Sequence, residues 1–181
     1  TSYGTSYLHE VLWVHAITDT GEGWAECAAE PRPEYSSEYL TGAAEVITEF
    51  LLPKLTGRDI DALTIADDIA GFKGHRMAKA AVETALLDAQ LRGQGISFAQ
   101  HLGAVKDRVP AGVSVGIMDS IDTLLEHVSG YVADGYLRVK LKIEPGWDYE
   151  PVRSVREAFP DIPLQVDANT AYTRNDGPTL A

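Results

Sequence analysis

The chain has 181 residues, 45% of them apolar and 23% charged, with a formal net charge of −12. That composition can bury a core and excludes a disordered chain, since the charged share sits near the globular average of about 25%. The acidity argues against nucleic acid and against an anionic membrane surface as partners, and no apolar run approaches the ~18–20 residues of a membrane span.

Cys27 is the single cysteine, which excludes an intrachain disulfide and fits a reducing cytoplasm. Residues 1–7 have neither a basic start nor an apolar stretch, so they do not read as a secretory signal. The absence of an initiator Met, and a stop soon after the turn signal Asn-Asp-Gly-Pro at 175–178, lead us to expect a piece of a longer protein.

Residues 10–17, rich in Val, Leu and Trp, read as a strand, residues 19–23 as a turn and residues 24–28 as a second strand. Together they predict an antiparallel hairpin. Residues 30–35 carry two prolines and read as a loop. Ser36 or Ser37 is placed to cap a helix running to about Leu52, with Pro53 near its end. Residues 61–70 read as a shorter helix and 71–74 as a loop. From about His75 to Arg92 a helix carries Ala78, Ala81, Val82, Ala85 and Ala89 on one stripe, small enough for another element to approach closely. Gly93 and Gly95 end it. Strands first and helices after is an α+β pattern.

From Val109 the pattern changes. Residues 109–117 read as a strand. Asp119 or Ser120 caps a helix with Leu124, Leu125, Val128 and Val132 on one face. Residues 137–143 form the next strand, Asp148 caps a helix carrying Val152, Val155 and Phe159, and residues 163–169 form a third strand. This β-α-β-α-β order with helices of about three turns predicts parallel strands. The domain boundary falls between Gly103 and Val109, giving domains 1–104 and 105–181.

The three strands share an unusual second face. In the middle strand Leu137, Val139, Leu141 and Ile143 alternate with Arg138, Lys140 and Lys142. In the last, Leu164, Val166 and Ala168 alternate with Gln165, Asp167 and Asn169; in the first, the matching positions are Pro110, Gly112, Ser114 and Gly116. A packed barrel interior carries bulky branched residues. A face that is small, then cationic, then acidic and amide-bearing reads instead as the lining of a polar cavity. Lys142, Asp167 and Asn169 lie near the C-terminal ends of their strands, where parallel α/β proteins build their sites. Gly112 to Gly116 lacks the Gly-X-Gly-X-X-Gly spacing of a dinucleotide loop.

Aspartate and amide oxygens suit a hard cation such as Mg²⁺, although one carboxylate does not make a metal site. A lysine beside a divalent cation feels like-charge repulsion and becomes a usable general base. A base next to a metal-bound carboxylate is what abstraction of an α-proton requires.

Four stretches carry a resemblance to a known family. They are residues 135–148 (Gly-Tyr-Leu-Arg-Val-Lys-Leu-Lys-Ile-Glu-Pro-Gly-Trp-Asp), 164–172 (Leu-Gln-Val-Asp-Ala-Asn-Thr-Ala-Tyr), 72–81 (Phe-Lys-Gly-His-Arg-Met-Ala-Lys-Ala-Ala) and 112–117 (Gly-Val-Ser-Val-Gly-Ile). The chain resembles the enolase superfamily in its muconate-lactonizing-enzyme subgroup, and within it the o-succinylbenzoate synthases that also racemise N-acylamino acids. The resemblance implies an α+β capping domain lacking its first strand, followed by the first three βα units of a (β/α) barrel. It implies Lys142 as the base that removes the α-proton and Lys140 as the group that helps neutralise the enediolate. Asp167 would be the first of three carboxylate ligands to Mg²⁺. Asn169, Ser114 and Tyr3 would contact substrate, Tyr3 from the first capping loop; that loop and residues 30–37 would close over the site. It further implies a small-molecule carboxylate substrate, menaquinone biosynthesis in the cytoplasm, and a homo-oligomeric parent.

The departures from the family pattern are as informative. The other two acidic ligands and the lysine on the opposite side of the substrate are absent, because the chain stops at Ala181. The chain alone is expected to bind Mg²⁺ poorly and to have little activity. Racemase, dipeptide epimerase and acid-sugar dehydratase of the same superfamily remain alternatives to the synthase, as does a non-catalytic fragment whose open barrel edge pairs with another chain. His9, His15, His75, His101 and His127 show no metal-ligand spacing; Cys27 reads as a buried thiol, and Trp24 and Trp147 as packing residues.

Overall fold

The structure, a computed structural model, describes residues 8–177. Tyr3 therefore lies outside the described residues. Two compact units divide at Val105 and Lys106, and each is described by itself.

In the first unit β1 (Leu12–Ile17) and β2 (Glu22–Cys27) form an antiparallel hairpin in which Leu12 faces Cys27 and His15 faces Trp24. The turn closes through Thr18, whose N–H and hydroxyl both donate to the Gly21 carbonyl, at 2.9 and 2.8 Å. One face of the hairpin, with Gly23, Ala25 and Cys27 of β2 buried, lies on the long helix α4 (Arg76–Gln94). The alanine stripe of α4 is buried, as its spacing predicts, and β2 answers it with a glycine. A Cβ on Gly23 would sit 2.1 Å from the Ala85 carbonyl oxygen and 2.2 Å from the Ala89 nitrogen. Small residues on both elements thus let backbone meet backbone. Asp88 of α4 completes the contact by accepting the Trp24 N–H at 3.0 Å, on the edge of β2 away from β1. Trp24 itself is exposed and stacks on His15, with ring centroids 3.7 Å apart, so it packs on the outer face of the hairpin. Cys27 is fully buried.

Two expectations for this unit fail for local reasons. The helix predicted from Ser36 or Ser37 begins at Leu40: α1 (Leu40–Glu45) continues through a π-helical segment (Val46–Leu51) into α2 (Leu52–Leu55). Glu38, which would sit in the predicted first turn, is used elsewhere. Its carboxylate accepts the Met77 N–H at 3.0 and 3.1 Å and the Ala78 N–H at 3.2 Å. These are orphan donors at the start of α4, where His75 is left-handed (φ 52°) and caps nothing with its side chain. At the other end the helix begun at Leu40 runs to Leu55, and Pro53 stands near its end, as expected. The wider π turns directly precede it, where an α-helix would set its ring against the carbonyl of residue 49. The helix predicted over 61–70 contracts to α3 (Ile65–Asp68). Asp61 takes the Leu63 N–H at 3.0 Å, and Gln90 of α4 takes the Ala62 N–H at 2.9 Å, so side chains hold the start of this stretch outside the helix. Helix α4 closes in a Schellman motif at Gly95, φ 69°, with the Gly95 and Ile96 N–H groups on the Arg92 and Leu91 carbonyls. The short α5 (Phe98–His101) follows, with Ser97 and Gln100 forming a capping box.

In the second unit β3 (Gly112–Val115), β4 (Arg138–Lys142) and β5 (Leu164–Asp167) form a parallel sheet in that order. Helix α6 (Ile121–Ala133) joins the first two strands and α7 (Tyr149–Ala158) the last two. Ser120 caps α6 by accepting the Thr123 N–H at 3.1 Å, and Asp148 caps α7 by accepting the Tyr149 N–H at 2.7 Å. Val115, Val139 and Leu141 of the sheet, with Ile143 just beyond β4, bury themselves against Leu124 and Val128 of α6 and Val155 of α7. Each such side chain contributes about 1.5–3 kcal/mol when fully buried. Trp147 packs at the margin of this core. Among the described residues no helix is long and apolar enough to cross a membrane.

The Gly23 contact leads us to expect that Gly23→Ala costs about 1–3 kcal/mol or more, by forcing β2 off α4; urea denaturation measures it. Glu38→Ala should cost about 1 kcal/mol, as loss of a helix cap does, while leaving the unfolding slope unchanged.

Candidate active site

Parallel pairing places the polar faces of the three strands in rows. Gly112 lies opposite Arg138, Ser114 opposite Lys140, Lys140 opposite Gln165, and Lys142 opposite Asp167. Val113, Val115, Val139, Leu141 and Leu164 alternate with these and pack in the core, whereas Val166 is half exposed; register and polar face are thus fixed together.

The row at the strand ends closes on Asp167. Its Oδ2 accepts from Lys142 Nζ at 2.8 Å and from Lys140 Nζ at 3.0 Å. Its Oδ1 accepts the Asn169 N–H at 3.0 Å. Lys142 Nζ also donates to Asn169 Oδ1. The hydrogen bond from Lys142, then the Asn169 N–H and the Lys140 ammonium, hold the Asp167 carboxyl far below the usual carboxylate range. The Lys142 side chain is 17% exposed and that of Lys140 is 35% exposed, so the second lysine of the pair is the more enclosed.

Asn169 corrects one expectation. Alternation along the strand places it on the face of Asp167, but β5 ends at Asp167 and Asn169 has left the strand, with φ 44°. Thr170 follows at φ 63°. The amide still reaches Lys142, from a turn rather than from the sheet. The other predicted strand limits, 109–117, 137–143 and 163–169, contract in the same way to their paired cores.

Two groups in neighbouring loops matter that the strand pattern does not reveal. After β4, Glu144–Trp147 forms a tight turn with reciprocal backbone bonds of 2.9 and 3.2 Å and Gly146 at φ 88°. It delivers Asp148 to the start of α7. After β5, the Tyr172 hydroxyl donates to Asp148 Oδ2 at 2.8 Å. Burial, and then the Asp148 carboxylate, push the Tyr172 phenol up to about 12. The Tyr149 N–H and the Tyr172 hydroxyl lower Asp148. This contact joins residues 24 apart in sequence, beyond the reach of any periodicity.

Asp167 and Asn169 present oxygen donors of the type a hard cation takes. They fit such an ion in kind but not in number. Among the described residues no group of three or more His, Cys, Asp or Glu side chains stands where it could hold a metal. The site as built can hold a proton at Lys142 Nζ, offer a second ammonium at Lys140, and present one anionic ligand.

Residues 1–103 match the family profile described as the mandelate racemase / muconate lactonizing enzyme N-terminal domain, and residues 123–181 match the one described as enolase C-terminal domain-like. The chain belongs to the mandelate racemase / muconate lactonizing enzyme family. Among its relatives is an N-succinylamino acid racemase from Amycolatopsis sp, 57% identical over 183 residues, which cover 100% of this chain and 50% of the racemase. An o-succinylbenzoate synthase from Geobacillus kaustophilus is 40% identical over 99% of this chain and 48% of its own length. A crystal structure of an enolase superfamily member from Listeria innocua Clip11262 superposes with a TM-score of 0.89 at 39% identity, over 98% of this chain and 49% of that one. The chain thus spans about half the length of the curated relatives it matches. In the terms of this family the hairpin and its helices are the α+β N-terminal fold, and the β3–β4–β5 sheet is the beginning of the barrel.

The Tyr172 shift has a pH consequence. Its folded pKa lies above the ordinary value of about 10, so its contact with Asp148 stabilises fully below pH ~10 and is lost as pH rises towards about 12. The stability difference between the protein and Tyr172→Phe should be constant below that window and shrink through it, as followed by alkaline denaturation with tyrosinate absorbance.

Proposed function

We propose that this chain carries part of the active site of a Mg²⁺-dependent enzyme that removes the α-proton of a small-molecule carboxylate. Its reaction in this reading is dehydration to o-succinylbenzoate, a step of menaquinone biosynthesis, in the cytoplasm and in a homo-oligomer. Residues 1–104 serve as the capping domain and 105–181 as the first strands of the barrel. The observation that supports the reading is the pair of ammonium groups converging on Asp167 at the strand ends, at 2.8 and 3.0 Å.

Lys142 acts in its deprotonated amine form: Nζ takes the α-proton and becomes the ammonium. Its enclosure, and its bonds to Asp167 and Asn169, fix where that nitrogen points, and orientation of this kind supplies much of the rate of proton transfer. Lys140 donates hydrogen bonds towards the carboxylate oxygens, where negative charge grows as the enediolate forms. Ser114, opposite Lys140 on β3, contacts substrate from the neighbouring strand. Asn169 binds substrate and keeps Lys142 aligned. Tyr3 contacts substrate from the capping loop. Asp167 contributes one ligand to Mg²⁺, the others coming from outside this chain. When bound, the ion supplies positive charge that stabilises the carboxylate anion.

A second reading, racemisation of N-succinylamino acids, is favoured by the 57% identity to the Amycolatopsis racemase. Both readings begin with the same proton transfer to Lys142, and racemisation adds a base on the opposite face of the substrate.

The test is the protein carrying this chain together with the remaining strands, assayed with Mg²⁺ for both reactions and for exchange of the substrate α-proton in D₂O. Lys142→Ala should lower kcat by about 10²–10⁴-fold with little change in KM. Full exchange activity in that variant would sink the assignment of the base. The 181-residue chain alone should bind Mg²⁺ weakly and turn over neither substrate, and measurable turnover by it would contradict the partial-site reading.

A further inference from the structure

The turn beyond β5 is strained and is held from several sides. Residues 168–171 close through the Ala171 N–H on the Ala168 carbonyl at 2.9 Å, with Asn169 and Thr170 both at positive φ. Asparagine tolerates that backbone, but a β-branched threonine in it is an outlier. Such a conformation persists only where its surroundings over-determine it. One constraint is local: Asp167 Oδ1 accepts the Asn169 N–H. Another comes from the end of the turn, where the Tyr172 ring packs at the margin of the core and its hydroxyl donates to Asp148 at 2.8 Å.

Asp148 is a firm anchor. The Glu144–Trp147 turn sets it immediately after β4, and its second oxygen caps α7 through the Tyr149 N–H. A closed circuit results. It runs from Lys142 on β4 to Asn169, through the turn to Tyr172, across to Asp148, and back through the Glu144–Trp147 turn to β4. Every link except the two side-chain contacts is backbone or turn.

We infer that Tyr172 and Asp148 are positioning residues, a latch between the loops following β4 and β5 that keeps Asn169 in its left-handed turn and so aims Lys142. Neither residue hydrogen-bonds Lys142 itself. The catalytic meaning of the latch rests on the assignment of Lys142 as base; its geometry does not.

The experiment uses the ¹⁵N-labelled 181-residue chain and needs no turnover. Amide exchange of Asn169 and Ala171 is compared by NMR with that of Val139 and Leu141 in β4. The rate at which trinitrobenzenesulfonate modifies Lys142 is measured at one fixed pH. Tyr172→Phe keeps the ring and removes only the hydroxyl. It should speed Asn169 and Ala171 exchange and Lys142 modification by about tenfold, as loss of a hydrogen bond to a charged group does, with Val139 and Leu141 unchanged. Asp148→Asn should have a smaller effect than Tyr172→Phe, because an amide can still accept the Tyr149 N–H and donate to the tyrosine oxygen, although in a neutral hydrogen bond. The latch is overturned if Tyr172→Phe leaves Asn169, Ala171 and Lys142 unchanged. It is equally overturned if Val139 and Leu141 accelerate by the same factor, which marks a general loss of stability, or if Asp148→Asn behaves as Tyr172→Phe does. Because these readouts do not involve catalysis, the latch can fail while the proton-abstraction reading stands, and that reading can fail while the latch stands.

Discussion

One carboxylate oxygen holds two ammonium groups, and the polar face of the sheet depends on it. β4 carries Arg138, Lys140 and Lys142 on a single face, a row of like charges that disfavour one another. Asp167 answers two of them through Oδ2. It can do so only in the register that sets Lys142 opposite Asp167, and a slip of one residue would turn Asp167 towards the apolar side. The buried valines and leucines enforce the same register from the other face. Core packing and site electrostatics therefore select one alignment for independent reasons. The third cation is accommodated by absence of bulk: Arg138 lies over Gly112, where a Cβ would come within 2.5 Å of its Nε.

The first unit solves a different problem with related means. Among the described residues its sheet has two strands, too few to stand alone in water. Close approach of β2 to α4, through Gly23 and the alanines, gives the hairpin a large contact for little side-chain volume. Carboxylates then tie loose backbone ends across long sequence distances, Glu38 at the start of α4 and Asp88 at the edge of β2. Each acts on N–H groups that secondary structure leaves unpaired.

What the sequence discloses and what it hides follow from the range of each interaction. The two-residue alternation of β4, the Ser120 and Asp148 caps and the alanine stripe are local patterns, and the structure keeps them. The facing of Lys142 and Asp167 follows once two βα units are read in phase. The identity of Asn169 continues the alternation of β5, so the pattern does not show that the backbone departs there. Glu38 reads as a first-turn helix residue because its partners lie 39 and 40 residues on. Separations of 28 and 24 residues likewise hide the Gln90 and Tyr172 contacts. Family membership rests on the profiles and relatives matched over the chain, whereas the roles of Ser114 and Asn169 towards substrate rest on the proposal.

The π-helical segment Val46–Leu51 sets the phase of the helix over residues 40–55. The buried residues on that run are Ala43, Ile47, Leu51 and Leu55, one every four positions. An α-helix completes a turn in about 3.6 residues, so a stripe spaced at four overshoots at each step and winds away from the core. Turns closed by i→i+5 bonds contain more residues and undershoot the same spacing. Alternating the two windings cancels the drift, so the stripe runs straight down one side of the rod. The segment thus behaves as a phase corrector: a sequence written with period four, foreign to either winding by itself, becomes a single continuous seam.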